Sequence, residues 1–265
     1  MKFITSRDNP AFKHLRALLE DSRARREAHA TLIDGEHLLQ AAIEAAWPVK
    51  RLILSDAFAE STELAVRLAE FTRRGLQAPE VLFFSEALFR QLSPVTTPTG
   101  ILAEITLDGP DQQAGKEHDV LVLAGVQDAG NLGTLMRSAV AAGVRQVWLD
   151  RQCAQPWSPK ALRAGMGAQF HLAMTEACDL AGMLSADERQ VVVTSLGAQS
   201  ISLYELDLCQ PTIWVFGSEG QGVPAALLEL ADRQVCIPMP GTIESLNVGA
   251  AAAICLFEQV RQRMA

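Results

Sequence analysis

The chain has 265 residues, of which 49% are hydrophobic and 20% are charged, so its length allows two modest domains or one large one with a buried core. The formal net charge of −8 argues against nucleic-acid binding as a property of the whole surface. Residues 1–30 nevertheless carry +3 and the remainder −11. A basic arm of this kind is compatible with phosphate contacts, and a solvated amphipathic helix explains the same charges equally well.

Several classes of protein are disfavoured by the sequence. The most apolar run, Val248–Phe257, is too short to span a bilayer. The five cysteines are scattered and odd in number, which predicts neither a disulfide framework nor a zinc site. No metal is expected, because the histidines also lack ligand spacing; these are His14, His29, His37, His118 and His171. We expect a globular protein of the reducing cytoplasm.

The first hundred residues alternate short helical and extended patterns and predict a small α/β domain. A first helix is predicted over Ala11–Leu19, after the capping pair Asp8-Asn9 and Pro10. The elements predicted next are a strand Thr31–Asp34, a helix Gly35–Ala46, a strand Arg51–Ser55, a helix Ser61–Arg74, a strand Val81–Phe84, a short helix Glu86–Leu92 and a strand Gly100–Ile105. Gly, Pro and polar residues then predict a linker over 108–118, which separates a domain 1–107 from a domain 119–265.

Strands and helices alternate regularly after the linker. Val120–Val126 is continuously apolar, as expected for a strand buried on both faces. The elements that follow are predicted as a helix Leu132–Ala142, a strand Val144–Leu149, a helix Pro159–Ala164, a strand His171–Met174, a helix Cys178–Ala186, strands Val191–Ser195 and Thr212–Phe216, a helix Pro224–Ala231, a strand Gln234–Ile237 and a helix Ser245–Arg263. The fold class is therefore α/β, with a mainly parallel sheet and helices on both faces, and ligands are expected at the carboxyl ends of the strands.

Three segments at such strand ends have the composition of ligand-binding loops. In the first, residues 125–137, Gly130 and Gly133 permit close backbone approach, Asn131 is predicted to cap the helix, and Arg137 lies inside it. A glycine turn followed by an ordinary capped helix with a surface arginine explains this segment as well.

The second segment, residues 216–224, holds three glycines within six residues after a strand. Glu219 and the lack of a following Lys-Ser/Thr argue against a triphosphate-binding loop. The third segment, residues 237–254, has a loop stiffened by Pro238 and Pro240. Ser245 or Asn247 is predicted to open the helix that follows, which begins with small residues. Tight helix packing explains the alanines, but it does not explain the polar, proline-rich loop.

Together and in this order, the three segments resemble the signature motifs of the SpoU/TrmH-type RNA methyltransferases. The matching residues are Asn131 and Arg137 in the first, Gly217, Glu219 and Gly222 in the second, and Pro238, Met239, Gly241, Ser245, Leu246 and Asn247 in the third. Residues 1–106 resemble the RNA-binding extension of the family, through Asn9, Pro10 and Lys13 and through the stretch 34–42. The sequence departs from the family pattern at Ala129, Gly165 and Ser218, where Pro, Ser and Asn are usual.

The resemblance implies a deep trefoil knot in the C-terminal domain, a homodimer formed through that domain, and S-adenosylmethionine as the methyl donor. The cofactor-binding residues that it implies are Ser195, Leu196, Gly197, Phe216, Gly217, Glu219, Gly222, Ile237, Met239, Ser245 and Leu246. The catalytic residues that it implies are Arg137, Asn131, Glu219, Ser245 and Asn247. The RNA-binding residues expected are Arg7, Asn9, Lys13, Arg16 and Arg137.

The reaction implied is methyl transfer to a ribose 2′-hydroxyl, with ribosomal RNA favoured because of the N-terminal domain and transfer RNA as the alternative. Arg137 is the family's candidate base, but deprotonating a guanidinium is expensive, which favours oxyanion stabilisation and phosphate binding instead. A non-catalytic RNA-binding protein that retains the fold is a second possibility, although Arg137, Asn131 and Glu219 are all present. A dehydrogenase is disfavoured, because the first segment lacks the GxGxxG spacing.

Overall fold

The computed structural model describes residues 2–58, 62–110, 112 and 114–264, without the side chains of residues 62 and 63. Contacts divide the chain into two compact units. Unit 1 comprises Met1–Pro110 and Trp157–Phe170, and unit 2 comprises Asp111–Pro156 and His171–Ala265. The segment 157–170 therefore packs with the N-terminal part of the chain, although it lies in sequence within the predicted domain 119–265.

The elements of residues 1–110 are β1 (Lys2–Ile4), α1 (Pro10–Glu20), α2 (Ser22–Ala28), β2 (Ala30–Asp34), α3 (Glu36–Glu44), β3 (Val49–Ser55), α4 (Thr62–Arg73), β4 (Glu80–Phe84), α5 (Glu86–Leu92) and β5 (Ile101–Thr106). Their strands form one sheet in the order β1-β4-β3-β5-β2, in which β5 runs antiparallel to both of its neighbours. The apolar face of α1 packs on this sheet through Phe12, Leu15 and Leu18. These residues recur every three or four positions, which places them on one side of the helix.

The remaining elements are β6 (Val120–Ala124), α6 (Ala129–Ala141), β7 (Gln146–Leu149), α7 (Pro159–Gly165), β8 (Ala173–Thr175), α8 (Leu180–Ser185), β9 (Gln190–Thr194), β10 (Ile201–Ser202), β11 (Thr212–Gly217), α9 (Ala225–Leu228), β12 (Arg233–Cys236) and α10 (Val248–Met264). Short 3₁₀ turns cover Asp56–Phe58, Ala168–His171 and Leu203–Glu205.

The sheet of unit 2 is parallel at every pairing described, in the order β10-β12-β9-β11-β6-β7-β8. Alternate residues of its central strands, such as Val120 and Val122, pack against α8 and α9. The other face packs against α10, where the Trp214 indole donates to Gln259 Oε1 at 2.8 Å. Helices therefore cover both faces, and the predicted fold class is confirmed.

The alternation of strands and helices is as predicted, with three elements missed. β1 and β10 have only three and two residues, and α2 is nearly all polar or charged, so none has a readable apolar period. Three predicted positions lie outside the described residues: Ser61, at the start of the predicted helix Ser61–Arg74, and residues 111 and 113 of the predicted linker. Within the described residues, no helix is both long enough and apolar enough to cross a membrane.

Two predicted helix starts were wrong. The helix α6 begins at Ala129 rather than at Leu132, because Asp128 is its N-cap. The Asp128 carboxylate accepts a hydrogen bond from the backbone amide of Asn131 at 2.9 Å. Asn131 therefore does not cap this helix. The last helix begins at Val248, later than the predicted range Ser245–Arg263. Of the two residues predicted to open it, Ser245 and Asn247, it is Asn247 that does so, because its Oδ1 accepts from the Gly249 backbone amide at 2.9 Å.

Candidate active site

A cleft of about 490 Å³ lies at the carboxyl ends of three neighbouring strands, β12, β9 and β11. Its walls are the segment after β9, the glycine loop after β11, the loop after β12 and the first turns of α10. This is the edge at which parallel α/β sheets bind ligands, and the volume is in the range of small-molecule sites. The cleft is therefore the candidate ligand site of unit 2.

The glycine loop after β11 is a tight turn closed by a pair of backbone hydrogen bonds. Ser218 N donates to Gly222 O at 3.1 Å, and Gly222 N donates to Ser218 O at 2.9 Å. Gly222 has a φ of 68°, in the left-handed region. A Cβ at Gly217 would lie 2.0 Å from the carbonyl carbon and oxygen of Gly222, so only glycine fits where the loop crosses itself. The turn carries Glu219 near its tip.

A chain of side-chain hydrogen bonds joins the three motif segments. Asn131 Nδ2 donates to Glu219 Oε1 at 2.6 Å, and Asn247 Nδ2 donates to Asn131 Oδ1 at 3.0 Å. The side-chain oxygen of Asn247, Oδ1, already accepts from the first backbone amides of α10. The side-chain NH₂ group of Asn247 is therefore the group that faces Asn131, and it can only donate. The chain thus has a fixed direction that ends on the carboxylate of Glu219. We call these three residues the Asn-Asn-Glu relay.

Arg137 lies six residues further along α6 than Asn131, which is about 1.7 turns or 9 Å along the helix axis. Its side chain is exposed and has no hydrogen bond or ion pair with the residues that the structure describes. Among the described residues no hydrogen bond joins Arg137 to Asn131 or Glu219, and those two side chains bond to each other. The guanidinium is therefore available to a ligand from solution.

Most of the cofactor-binding residues expected from sequence lie together. All of them line the cleft except Gly197, whose amide donates to the Ser195 hydroxyl at 3.1 Å beside it. Sequence reasoning missed ten further lining residues, namely Thr194, Ser218, Gly220, Gln221, Val223, Leu228, Val235, Cys236, Val248 and Ala251. Their position directly beside the motif residues is the signal that could have found them.

The RNA-binding residues expected near the N-terminus lie on or before α1 in unit 1. The Asn9 side chain caps α1 by accepting from the Ala11 amide at 2.9 Å. Arg7, Lys13 and Arg16 are exposed, and the last two are paired with Asp8 and Glu20, each at 3.0 Å. Their nearest charged partners therefore belong to the same short segment.

The donor set of the cleft fits S-adenosylmethionine better than a phosphorylated nucleotide. Leu196 and Leu246 expose 67% and 41% of their surfaces at the cleft, where they can cover the faces of a planar base. Backbone groups and the hydroxyls of Ser195 and Ser245 supply polar contacts. Among the lining residues described there is one carboxylate, Glu219, and no lysine or arginine, which favours a cationic ligand over a polyphosphate.

The fold and the site define an α/β protein that holds a small organic molecule at the carboxyl edge of a parallel sheet and carries a second α/β unit. Residues 119–257 match the SpoU rRNA Methylase family, and residues 9–103 match the MRM3-like substrate binding domain. The chain belongs to the SpoU rRNA methylase family.

Relatives match over nearly the whole length of the chain. The uncharacterized tRNA/rRNA methyltransferase slr1673 of Synechocystis sp. is 34% identical over 99% of this chain and 94% of its own. The 23S rRNA (guanosine(2553)-2′-O)-methyltransferase RlmP of Bacillus subtilis is 31% identical over 97% of this chain and 98% of its own. The AdoMet-bound rRNA methyltransferase of Sinorhizobium meliloti superimposes with a TM-score of 0.84 at 28% identity, covering 100% of this chain and 99% of that one.

The relay predicts a pH-dependent defect for Asn131→Asp. This change puts a carboxylate oxygen where an amide donates to Glu219 at 2.6 Å, so the contact survives only when the two carboxylates share a proton. We expect methyl transfer to fall about 10- to 100-fold at pH 8, the loss expected for a hydrogen bond to a charged group. Activity should recover partly towards pH 6, because the shared proton is bound below the raised pKa of the pair. Single-turnover rates across this pH range provide the measurement.

The control for this experiment is Asn131→Ala, which removes both relay bonds and leaves no acid to titrate. Its loss should not vary with pH beyond the variation of the wild type. If Asn131→Asp followed the wild-type rate at every pH, the relay would have no part in the reaction.

Proposed function

We propose that this protein transfers the methyl group of S-adenosylmethionine to a ribose 2′-hydroxyl of ribosomal RNA. The observation that carries the proposal is the Asn-Asn-Glu relay, which joins the three motif segments at a cleft whose described lining has no cation. The names of the relatives from Bacillus subtilis and Sinorhizobium meliloti support the reaction and the class of RNA. The match of residues 9–103 to a substrate-binding domain supports a large structured substrate.

The residues of the cleft have separable roles in this proposal. S-adenosylmethionine, when bound, supplies an electrophilic methyl group. The backbone around Ser195, Phe216 and Ile237 and the side chain of Leu246 would hold its adenosyl part, and the relay fixes the position of Glu219 in the same cleft. Ser245, in the loop before α10, contributes a hydroxyl on the same side of the cleft.

Arg137 provides the charge that the substrate requires. Its exposed guanidinium can bind an RNA phosphate and stabilise the negative charge that develops on the ribose oxygen. An arginine guanidinium is a poor general base, so in this proposal the hydroxyl proton leaves to water or to the phosphate and Arg137 acts through its positive charge.

The primary test combines ligand binding with RNA mapping. Calorimetry should show binding of S-adenosylmethionine and none of NADH. Ribosomal RNA from a strain that lacks the gene should lack one or more 2′-O-methyl groups, and the purified protein should restore them. Restoration in transfer RNA alone would replace the proposed substrate class. A folded protein that does not bind S-adenosylmethionine would leave a non-catalytic RNA-binding role.

The proposed assembly is a homodimer formed through unit 2. One side of α10 exposes Ala250 and Phe257, the latter with 46% of its surface, and Ile254 between them is partly exposed. Leu256, on the opposite side, is buried within the unit. An apolar helix face of this kind is typical of a subunit contact. The trefoil knot and a cytoplasmic location also remain predictions.

Phe257→Glu should convert the dimer to a monomer, because it replaces the largest exposed apolar side chain of this face with a charge. Light scattering after size-exclusion chromatography should give a mass near 28.7 kDa for the variant and twice that value for the wild type. The matched control is Val66→Glu, an equal change at an exposed apolar residue of unit 1. A wild type that is monomeric at micromolar concentration would contradict the assembly.

A further inference from the structure

The turn that follows β7, residues 150–154, is fixed to the end of β6, and we call it the β7 turn. One oxygen of Asp150, Oδ1, accepts hydrogen bonds from the backbone amides of Gly125 at 3.1 Å and of Gln152 and Cys153 at 3.0 Å each. Gly125 follows β6, whereas Gln152 and Cys153 belong to the turn itself. The carboxylate therefore both closes the turn and ties it to the neighbouring strand end.

The second half of the β7 turn is held to the same strand end. The Ala154 amide donates to the Val126 carbonyl at 2.8 Å. The Cys153 thiol donates to the Leu123 carbonyl at 3.2 Å. Burial raises the pKa of Cys153 to about 12, so the thiol remains protonated and keeps this hydrogen bond at neutral pH. Since both halves are anchored, the tip of the turn has a fixed position relative to β6.

Gln152, at the tip of the β7 turn, faces the glycine loop across Gly125. Its Oε1 lies 3.7 Å from the position that a Cβ of Gly125 would occupy, and Ser218 Cβ lies 3.7 Å from the same position. Both distances are ordinary van der Waals contacts. Gln152 and Ser218 thus lie close together on either side of Gly125, which has no side chain to separate them.

The side-chain amide of Gln152 is available for recognition. Gln152 is exposed, and its side chain makes no hydrogen bond with the part of the chain that the structure describes. A side-chain amide offers a donor and an acceptor in one plane, the combination by which proteins pair with the edge of a nucleic-acid base. A phosphate group needs donors alone and would leave the amide oxygen without a partner. The chemistry of Gln152 therefore favours a base as its ligand.

The position of the β7 turn places Gln152 beside the relay and outside the cofactor cleft. In the sheet, β6 lies between β11 and β7. Ser218 lines the cleft at the end of β11, and the next residue, Glu219, accepts the hydrogen bond of Asn131. Gln152 is not among the described residues that line the cleft. A nucleotide whose ribose lies at the relay would therefore have the cofactor on its β11 side and Gln152 on its β7 side.

We propose that Gln152 determines which nucleotide is methylated, by hydrogen bonding to the edge of the target base when the ribose lies at the Asn-Asn-Glu relay. The inference rests on the proposed function, because it assumes that a ribose of RNA is the methyl acceptor. Gln152 selects the nucleotide and takes no part in the chemical step. All of the residues involved belong to unit 2, and sequence reasoning assigned neither Gln152 nor Ser218 to the site.

The test measures selectivity for the base rather than activity alone. The probes are four transcripts of the ribosomal RNA segment that carries the mapped 2′-O-methyl group, identical except for the base of the target nucleotide. The wild type should prefer the native base. Gln152→Ala should lower kcat/KM for the native base about 10- to 100-fold, the range expected for a lost contact to a base edge, and leave the other three values nearly unchanged. Calorimetric affinity for S-adenosylmethionine should not change, because Gln152 lies outside the cleft.

The matched control is Gln210→Ala, at an exposed glutamine of the same unit that precedes β11 and so lies at the amino edge of the sheet. It should keep the wild-type rate and the wild-type preference among the four bases. Three results would overturn the proposal: a wild type without preference, an unchanged preference in Gln152→Ala, or an equal loss on all four transcripts, which would indicate a structural role. Failure of the proposed function is distinct, since the wild type would then bind no S-adenosylmethionine and methylate none of the transcripts.

Discussion

Arg137→Ala should lower the rate of methyl transfer about 100- to 1000-fold while leaving the affinity for S-adenosylmethionine unchanged. The size is that of removing one donor aimed at a developing oxyanion. Cofactor affinity should persist because Arg137 does not line the cleft. Single-turnover kinetics with saturating RNA give the rate, and calorimetry gives the affinity.

The conservative change Arg137→Lys separates charge from geometry. Lysine keeps the positive charge but lacks the planar fork that binds a phosphate through two parallel hydrogen bonds. We expect it to recover a minor part of the lost rate. Arg145→Ala, at an exposed arginine that follows α6, controls for the loss of a surface charge and should retain full activity. Near-wild-type turnover by Arg137→Lys would refute the bidentate role.

The fold of unit 2 could be predicted because its signals are local. Val120–Ala124 is buried at every position, and a strand buried on both faces has a continuously apolar sequence. The glycine loop and the proline-rich loop stand directly after strands, so their place at the carboxyl edge followed from parallel topology alone. Ten of the eleven cofactor-binding residues expected from sequence line one cleft for this reason.

The features of the site that could not be predicted depend on contacts between residues that are distant in the sequence. Asn131 has the chemistry of a helix cap, but Asp128 three residues earlier has it too, and only the structure decides between them. Freed from capping, Asn131 bonds to Glu219, 88 positions later, and to Asn247, 116 positions away. Periodicity carries no information about such contacts.

The packing of residues 157–170 within unit 1 is equally invisible in the sequence. Ser158 and Pro159 mark the start of a helix, and Trp157 and Phe170 have the composition of a core. No local feature of the sequence indicates which hydrophobic core these residues join. The partner ring, Trp47, lies 110 residues before Trp157, and the aromatic contact between them assigns the segment to unit 1.

Gly217→Ala should abolish binding of S-adenosylmethionine and lower the melting temperature of the protein. The added methyl group would lie 2.0 Å from the Gly222 carbonyl, and backbone, unlike a flexible side chain, cannot move aside without opening the turn. The Ser218–Gly222 hydrogen bonds would be lost or stretched, and the floor of the cleft at Phe216 and Gly217 would move with them. Overpacking of this kind costs about 1–3 kcal/mol, or roughly 3–10 °C for a protein of this size.

Gly220→Ala tests whether the effect of Gly217→Ala comes from the steric clash at Gly217 or would follow from any substitution of a glycine in this loop. A Cβ at Gly220 has no atom within 4 Å, so this variant should melt within about 1 °C of the wild type. Scanning calorimetry of both variants, with and without S-adenosylmethionine, measures stability and ligand protection together. We expect the ligand to raise the melting temperature of the wild type and not that of Gly217→Ala. If Gly217→Ala were stabilised by the ligand as much as the wild type, the close crossing of Gly217 and Gly222 would not be what shapes the cofactor cleft.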